Sequence, residues 1–242
     1  GSVQEVMDLG SIAHLASIEG KVPFLHFFDG FRTSHEVQKI EVMDYEELSQ
    51  LINLDAVREF RENALTPEHP KTMGTAQNPD IYFQGMEASN KYYEDIVGIT
   101  EKYFGKINEI TGKEYGLFNY YGAEDAENII IAMGSVTDTI EETVDYLNAK
   151  GDKVGLVKVH LYRPFSREHF LKVVPKTVKK IAVLDRTKEK GALGNPLYLD
   201  IKSVYYNEEV QPVIVGGIYG LGSKDTTPSH INTVYELLKE EK

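Results

Sequence analysis

Over residues 3–18 the apolar positions Val3, Val6, Met7, Leu9, Ala13, Leu15, Ala16 and Ile18 form a broad stripe at helical spacing, and Gly20 marks the stop. The pattern then changes. Val22-Pro23-Phe24-Leu25-His26-Phe27-Phe28 is apolar at odd and even positions alike, which predicts a buried parallel strand over 21–28. Its proline falls near the beginning, where a ladder donor can be spared. His26, inside that run, reads as a satisfied core side chain rather than a ligand. A polar loop, 29–36, follows. Asp44 and Glu47 stand at capping-box spacing ahead of Leu48, Leu51 and Ile52, predicting a short helix, and a second helix is expected to start at Asp55. Pro67, Pro70 and Pro79 break up 66–85, which predicts a long irregular loop of the kind that is functional, partner-covered or disordered. Ile96, Ile99, Tyr103, Ile107 and Ile110 then predict a strong helix over 86–110, ended by Thr111-Gly112.

Periodicity lapses over 113–127 and restarts in another style, which places a domain boundary near Tyr121. Beyond it, strands at 128–133, 153–159, 180–185 and 212–215 alternate with helices at 136–150, 166–174, 196–206 and 228–240. Such alternation predicts β-α-β crossovers. The expected class is α/β, with a mostly parallel sheet covered by helices on both faces.

Composition narrows the function classes. The chain has 242 residues, 41% hydrophobic and 26% charged, enough for one large domain or two small ones. No apolar run approaches the roughly 20 residues of a membrane helix. Thirty-eight acidic against 26 basic residues give a net charge of −12, which argues against a nucleic-acid partner. The absence of cysteine removes disulfides, thiolate nucleophiles, Cys-based zinc sites and cysteinyl iron–sulfur ligands, and fits a reducing compartment. The chain opens Gly1-Ser2-Val3 without methionine and reads as helix almost at once, so its natural beginning is expected upstream, with Gly1 and Ser2 as a scar.

Ligands in open α/β sheets bind beyond the carboxyl ends of strands, which directs attention to four loops. Residues 29–36 gather Asp29, Arg32, Thr33, Ser34, His35 and Glu36; Arg32 suits an anion and His35 suits proton transfer, while the plainer reading is a hydrogen-bonded knot at an interface. Gly134-Ser135 caps a helix whose amino end could hold phosphate, although any strand-to-helix turn uses such a cap. Residues 185–195 mix cations with glycine and suit a neighbouring subunit or an anionic cofactor tail. Residues 216–225 are glycine-rich, with Lys224 the candidate anion contact. They match neither a P-loop nor a dinucleotide fingerprint, and a tight turn is the alternative. The seven histidines lack metal-ligand spacing, so no metal site is expected, and no Gly-x-Ser-x-Gly elbow occurs.

The wording of these loops carries more than their composition. His26-Phe27-Phe28-Asp29-Gly30-Phe31-Arg32-Thr33-Ser34-His35-Glu36 closely resembles the pyruvate:ferredoxin (flavodoxin) oxidoreductase family. So do Tyr120-Tyr121-Gly122-Ala123, Ala132-Met133-Gly134-Ser135, Gly155-Leu156-Val157-Lys158-Val159, Leu161-Tyr162-Arg163-Pro164-Phe165-Ser166, Leu184-Asp185-Arg186-Thr187-Lys188-Glu189 and Tyr219-Gly220-Leu221-Gly222-Ser223-Lys224-Asp225. Lys190 stands where the family's proline is expected. The resemblance implies an internal piece of a long multidomain enzyme of anaerobic metabolism: residues 3–120 as the end of a pyrimidine-binding thiamine domain, and 121–242 as a transketolase carboxy-terminal-like domain of three-layer α/β/α form. It implies that the parent oxidatively decarboxylates pyruvate to acetyl-CoA with thiamine diphosphate, magnesium and iron–sulfur clusters. It further implies a cytoplasmic homodimer that passes electrons to ferredoxin or flavodoxin. Under the same resemblance the piece itself contributes no catalytic or metal residue, binds no cofactor and is architectural. Asp29, Arg32, His35 and Lys224 are its interface or anion candidates. The alternative is a stand-alone nucleotide- or anion-binding α/β module.

Overall fold

The computed structural model describes residues 1–70 and 76–240. The chain forms two compact units: one from Gly1–Val6, Phe27–Ile40 and Tyr115–Lys242, the other from Met7–His26 and Glu41–Glu114. Helix α1, Val3–Gly20, runs from the first into the second.

Among its described residues the second unit is helical. Besides its share of α1 it holds α2 (Tyr45–Gln50), α3 (Leu54–Glu62) and α4 (Pro79–Thr111). The apolar stripe of α4 buries Ile96, Tyr103, Phe104 and Ile107. Gly20 lies so close to Ile96 that an added Cβ would come within 2.1 Å of the Ile96 Cδ1. Gly20 is therefore a packing residue; the left-handed residue that ends α1 is Lys21, φ 57°. The Glu19 carboxylate accepts hydrogen bonds from the Tyr103 hydroxyl (2.7 Å), the Lys102 ammonium (2.6 Å) and the Asn53 amide (3.2 Å). Buried Asp8 pairs with Lys113 at 3.1 Å.

The short helices start where capping chemistry places them. Asp44 accepts from the Glu46 and Glu47 N–H groups, as its spacing predicted, and Asn53 caps α3, starting it one residue before the expected Asp55. The predicted loop 66–85 is cut short by α4. Pro79 sits at the first helical position, where its missing N–H costs nothing, so the residue that read as a breaker is a starter. Residues 71–75 of that loop lie outside the described residues.

The first unit carries a five-stranded sheet, β1 (Phe118–Gly122), β2 (Asn128–Ala132), β3 (Val154–Val159), β4 (Lys180–Asp185) and β5 (Val213–Ile218), in the order β1-β3-β2-β4-β5. All pairings are parallel except β1 with β3, where Tyr121 lies opposite Leu156 and Gly122 opposite Gly155. Helices α5 (Val136–Ala149) and α8 (Pro228–Glu240) bury Ile140, Val144, Ile231 and Tyr235 against Ile130, Leu156 and Ala182. Strand residues alternate in direction, so Ile129, Val157 and Ile181 face the other way, toward the side of α6 (Arg167–Val173) and α7 (Pro196–Tyr205). Near-continuous burial of β2, β3 and β4 follows from being covered on both faces.

Two sequence expectations fail here. Residues 21–28 form no strand: Leu25, Phe27 and Phe28 are exposed, and so is His26, which is not a core side chain. A run that is apolar on both faces becomes a strand only where a neighbouring strand forms a ladder with it, and this run is in no ladder among the described residues. Conversely, β1 escaped the periodicity reading because it is an edge strand of aromatic and glycine residues, half-buried along most of its length.

Candidate functional site

From β2 the chain leaves through α5 toward β3, and from β4 it leaves through α7 toward β5. Their loops diverge, which opens a crevice at the carboxyl ends of β2 and β4, where doubly wound sheets usually take ligands. Asp29 fills it. Its carboxylate accepts the Ser135 N–H at 2.6 Å, at the amino end of α5, and on its other oxygen the Arg186 guanidinium, which follows β4. Burial pushes the Asp29 carboxyl upward, but the Ser135 hydrogen bonds and the Arg186 charge outweigh it and hold it below the usual carboxylate range. Gly134 is required for this approach: it has φ 84°, and a Cβ there would stand 2.9 Å from the Asp29 Oδ2.

A second clamp is formed three residues further along the same segment, by Arg32. Arg32 ion-pairs with Asp225 and donates to the Ser223 carbonyl at 3.0 Å. The Gly216–Asp225 turn is thereby engaged twice, since Arg186 Nε also donates to the Gly220 carbonyl at 3.3 Å. Its glycines serve the turn: Gly220 and Gly222 have φ 60° and 61°. Lys224 reaches this region through its backbone, whose N–H donates to the Leu221 carbonyl. His35 remains on its own loop, stacked on Phe31 at 5.3 Å and hydrogen-bonded to the Ser34 hydroxyl at 2.8 Å. The fold thus brings Asp29 and Arg32 onto the sheet unit, each facing an oppositely charged partner, and leaves His35 outside both pairs.

The helix after the 185–195 loop is also capped from within. Asp185, buried at the end of β4, accepts the Leu197 and Tyr198 N–H groups at 3.0 and 3.1 Å. Both helix amino ends that open beside the crevice therefore hold a side-chain carboxylate. Among the described residues no group of His, Cys, Asp and Glu could hold a metal ion, and no helix is long and apolar enough to cross a membrane.

Sequence reasoning missed a buried polar cluster under the first turn of α1. Lys158 on β3 pairs with Glu141 at 2.6 Å and lies 3.7 Å from Glu5; His160 Nε2 lies 3.8 Å from the same Glu5 oxygen, and its Nδ1 contacts the Gly116 carbonyl at 2.8 Å. The alternation of β3 could have flagged Lys158 as an inward charge needing partners. Burial holds the His160 pKa below its ordinary 6.5, with the Glu5 carboxylate opposing. The unfolded chain therefore binds a proton near pH 6.5 that the folded chain refuses, so stability should fall as pH drops below about 6.5, by at most about 1.4 kcal/mol per pH unit. Denaturant midpoints between pH 7.5 and 5.5 for the unaltered chain and His160→Asn test this. The variant should show the shallower slope; equal slopes would refute the assignment.

Residues 1–105 match the family model described as pyruvate flavodoxin/ferredoxin oxidoreductase, thiamine diP-bdg, and residues 126–231 match pyruvate:ferredoxin oxidoreductase core domain II. A pyruvate-flavodoxin oxidoreductase from Enterobacter agglomerans is 63% identical over 241 residues, covering 100% of this chain and 20% of that protein. A pyruvate:ferredoxin oxidoreductase from Moorella thermoacetica is 58% identical over 237 residues, covering 98% of this chain and 20% of that one. The chain thus spans about a fifth of the length of these curated relatives. A solved 2-oxoglutarate:ferredoxin oxidoreductase from Magnetococcus marinus aligns with TM-score 0.43 at 22% identity, over 72% of this chain and 27% of that one.

Proposed function

Because the chain belongs to the pyruvate:ferredoxin (flavodoxin) oxidoreductase family, we propose that it is an architectural part of an enzyme that oxidatively decarboxylates pyruvate to acetyl-CoA and delivers electrons to ferredoxin or flavodoxin. The observation that carries the architectural reading is the Asp29 carboxylate in the crevice between β2 and β4. A diphosphate brought there would meet a carboxylate on the amino end of α5, and at α7 it would meet Asp185. The described residues offer a magnesium ion no cluster of ligands. These residues do not fit a magnesium diphosphate.

In this reading the family's thiamine diphosphate, with its magnesium, is held mainly by parts of the parent outside this chain. Iron–sulfur clusters also belong there, since a chain without cysteine has no thiolate to ligate them. Residues 3–120 act as the closing part of the pyrimidine-binding thiamine domain and 121–242 as a transketolase carboxy-terminal-like domain. The parent works as a cytoplasmic homodimer with coenzyme A as acyl acceptor. The cofactors supply the difficult chemistry, and this chain's share is to hold neighbouring parts in register.

The isolated chain is expected to reduce no acceptor when given pyruvate, coenzyme A, thiamine diphosphate and magnesium. Calorimetric titration with thiamine diphosphate plus magnesium, coenzyme A or nucleotides is expected to give no saturable heat. Pyruvate-dependent turnover would overturn the architectural reading. One-to-one nucleotide binding would instead favour a stand-alone module, with the Gly216–Asp225 turn and Lys224 as the first place to look.

A further inference from the structure

Segment Phe27–Ile40 belongs to the sheet unit but is attached to it in an unusual way. Its large apolar side chains point outward: Phe27 and Phe28 are exposed, Phe31 is 75% exposed and Val37 is 98% exposed. Only Thr33 is buried. A segment normally stays on a folded surface by burying apolar area, and this one leaves about half or more of each of its large apolar rings exposed. It holds instead through two polar clamps, Asp29 to Ser135 and Arg186, and Arg32 to Asp225 and the Ser223 carbonyl. Between the clamps the backbone is strained, because Phe31 has φ 64°, a conformation that side-chain-bearing residues rarely adopt. The internal contacts of the segment are local: the Phe31 N–H donates to the Ser34 hydroxyl at 2.9 Å, the Ser34 N–H to the Asp29 carbonyl at 3.2 Å, and a single 3₁₀ turn spans Thr33–His35.

We propose that Phe27–Ile40 is a releasable strap: its two charged clamps form one latch, and the strap opens as a unit while the sheet beneath stays folded. The sheet keeps β2, β3 and β4 through paired backbone and side chains buried on both faces, so its opening approaches global unfolding. The strap's attachment is polar, with the Arg32–Asp225 pair solvent-exposed and the Asp29–Arg186 pair more shielded, so removing either clamp, or screening the exposed one, weakens the whole latch. Closed, the strap keeps the Asp29 carboxylate in the crevice; open, it withdraws that carboxylate from Ser135 and Arg186. This goes beyond the architectural reading and does not depend on the chain's activity.

Hydrogen exchange read by mass spectrometry on the 242-residue chain tests it. Asp29→Ala and Arg32→Gln should each raise exchange across the whole of 27–40 by about tenfold, including around the clamp left intact, while peptides of β2 and β4 keep their protection. Exchange that rises only beside the substituted residue would overturn the single latch. Equal loosening of the sheet, or strap exchange unchanged in both variants, would overturn the strap itself. Should a variant fail to fold, the unaltered chain decides: raising salt from about 0.05 M to about 1 M, where screening acts within about 3 Å, should speed strap exchange alone, and no change would refute the proposal.

Discussion

Replacing Phe170 by alanine is expected to lower the stability of the sheet unit by about 3–5 kcal/mol, the range for deleting a buried phenyl ring. Phe170 is fully buried and sits at the centre of an aromatic cluster, with ring centroids 5.5 Å from Phe118, 5.7 Å from Phe165 and 6.3 Å from Tyr205. The contacts with Phe118 and Tyr205 are edge-on, an arrangement that adds a favourable quadrupole term to the area buried. Helix α6 has seven residues, too few to persist alone, and Phe170 is its buried residue. The ring therefore carries both the cavity term and the attachment of a helix. Denaturant unfolding of Phe170→Ala and Phe170→Leu separates the two kinds of loss. The leucine variant, which keeps most of the volume, should lose about 1–2 kcal/mol, and an alanine variant as stable as the leucine one would refute the assignment.

Gly122→Ala should be the next most damaging change, at about 2–4 kcal/mol, because backbone strain and a steric clash act together. Gly122 has φ 130°, and a Cβ there would lie 2.6 Å from both the Gly155 Cα and the Val154 carbonyl oxygen. Those are backbone atoms of β3, which β1 must approach to pair, so neither strand can yield without breaking the ladder. Gly155→Ala provides the comparison. Its Cβ would meet the side chain of Tyr120, which can rotate away at the cost of the bond its hydroxyl donates to the Ala123 carbonyl. We expect Gly155→Ala to cost less, and thermal unfolding of the two variants side by side tests the order. The reverse order would show that the Tyr120 ring, and not backbone contact, limits the strand pair. The Tyr120-Tyr121-Gly122-Ala123 wording, part of the family resemblance, thus has a physical reason in this strand pair.

The two charged clamps show a different kind of dependence. Asp29 and Arg186 are 157 positions apart and Arg32 and Asp225 are 193 apart, so each pair exists only once the sheet has formed. Substituting one partner leaves the other's charge in a partly desolvated place. The expected loss is therefore local to the strap and the crevice, whereas Phe170 and Gly122 act on the sheet itself.

The sequence by itself determined the elements whose burial repeats along the chain. Strands β2, β3 and β4 and helices α5, α7 and α8 appear within a residue or so of their expected bounds, because a residue buried at every second or every third-to-fourth position leaves a local signature. Asp44 announced α2 for the same reason, since a cap acts over three residues. The density of acid, arginine and hydroxyl at 29–36 marked that loop as one that must find partners, but not which ones. Tertiary structure decided the rest. It left 21–28 outside the sheet although its wording suits a buried strand, because a strand is made by its neighbours and not by its own composition. It turned Pro79 from a breaker into the first residue of a 33-residue helix, since proline stops a helix only from inside. It placed Asp29 against Ser135 and Arg186, and Glu5 near Lys158 and His160, through contacts whose energy is electrostatic and whose partners are distant in sequence. Periodicity reports which face of an element is buried; which charge meets which across the fold depends on the topology that brings them together.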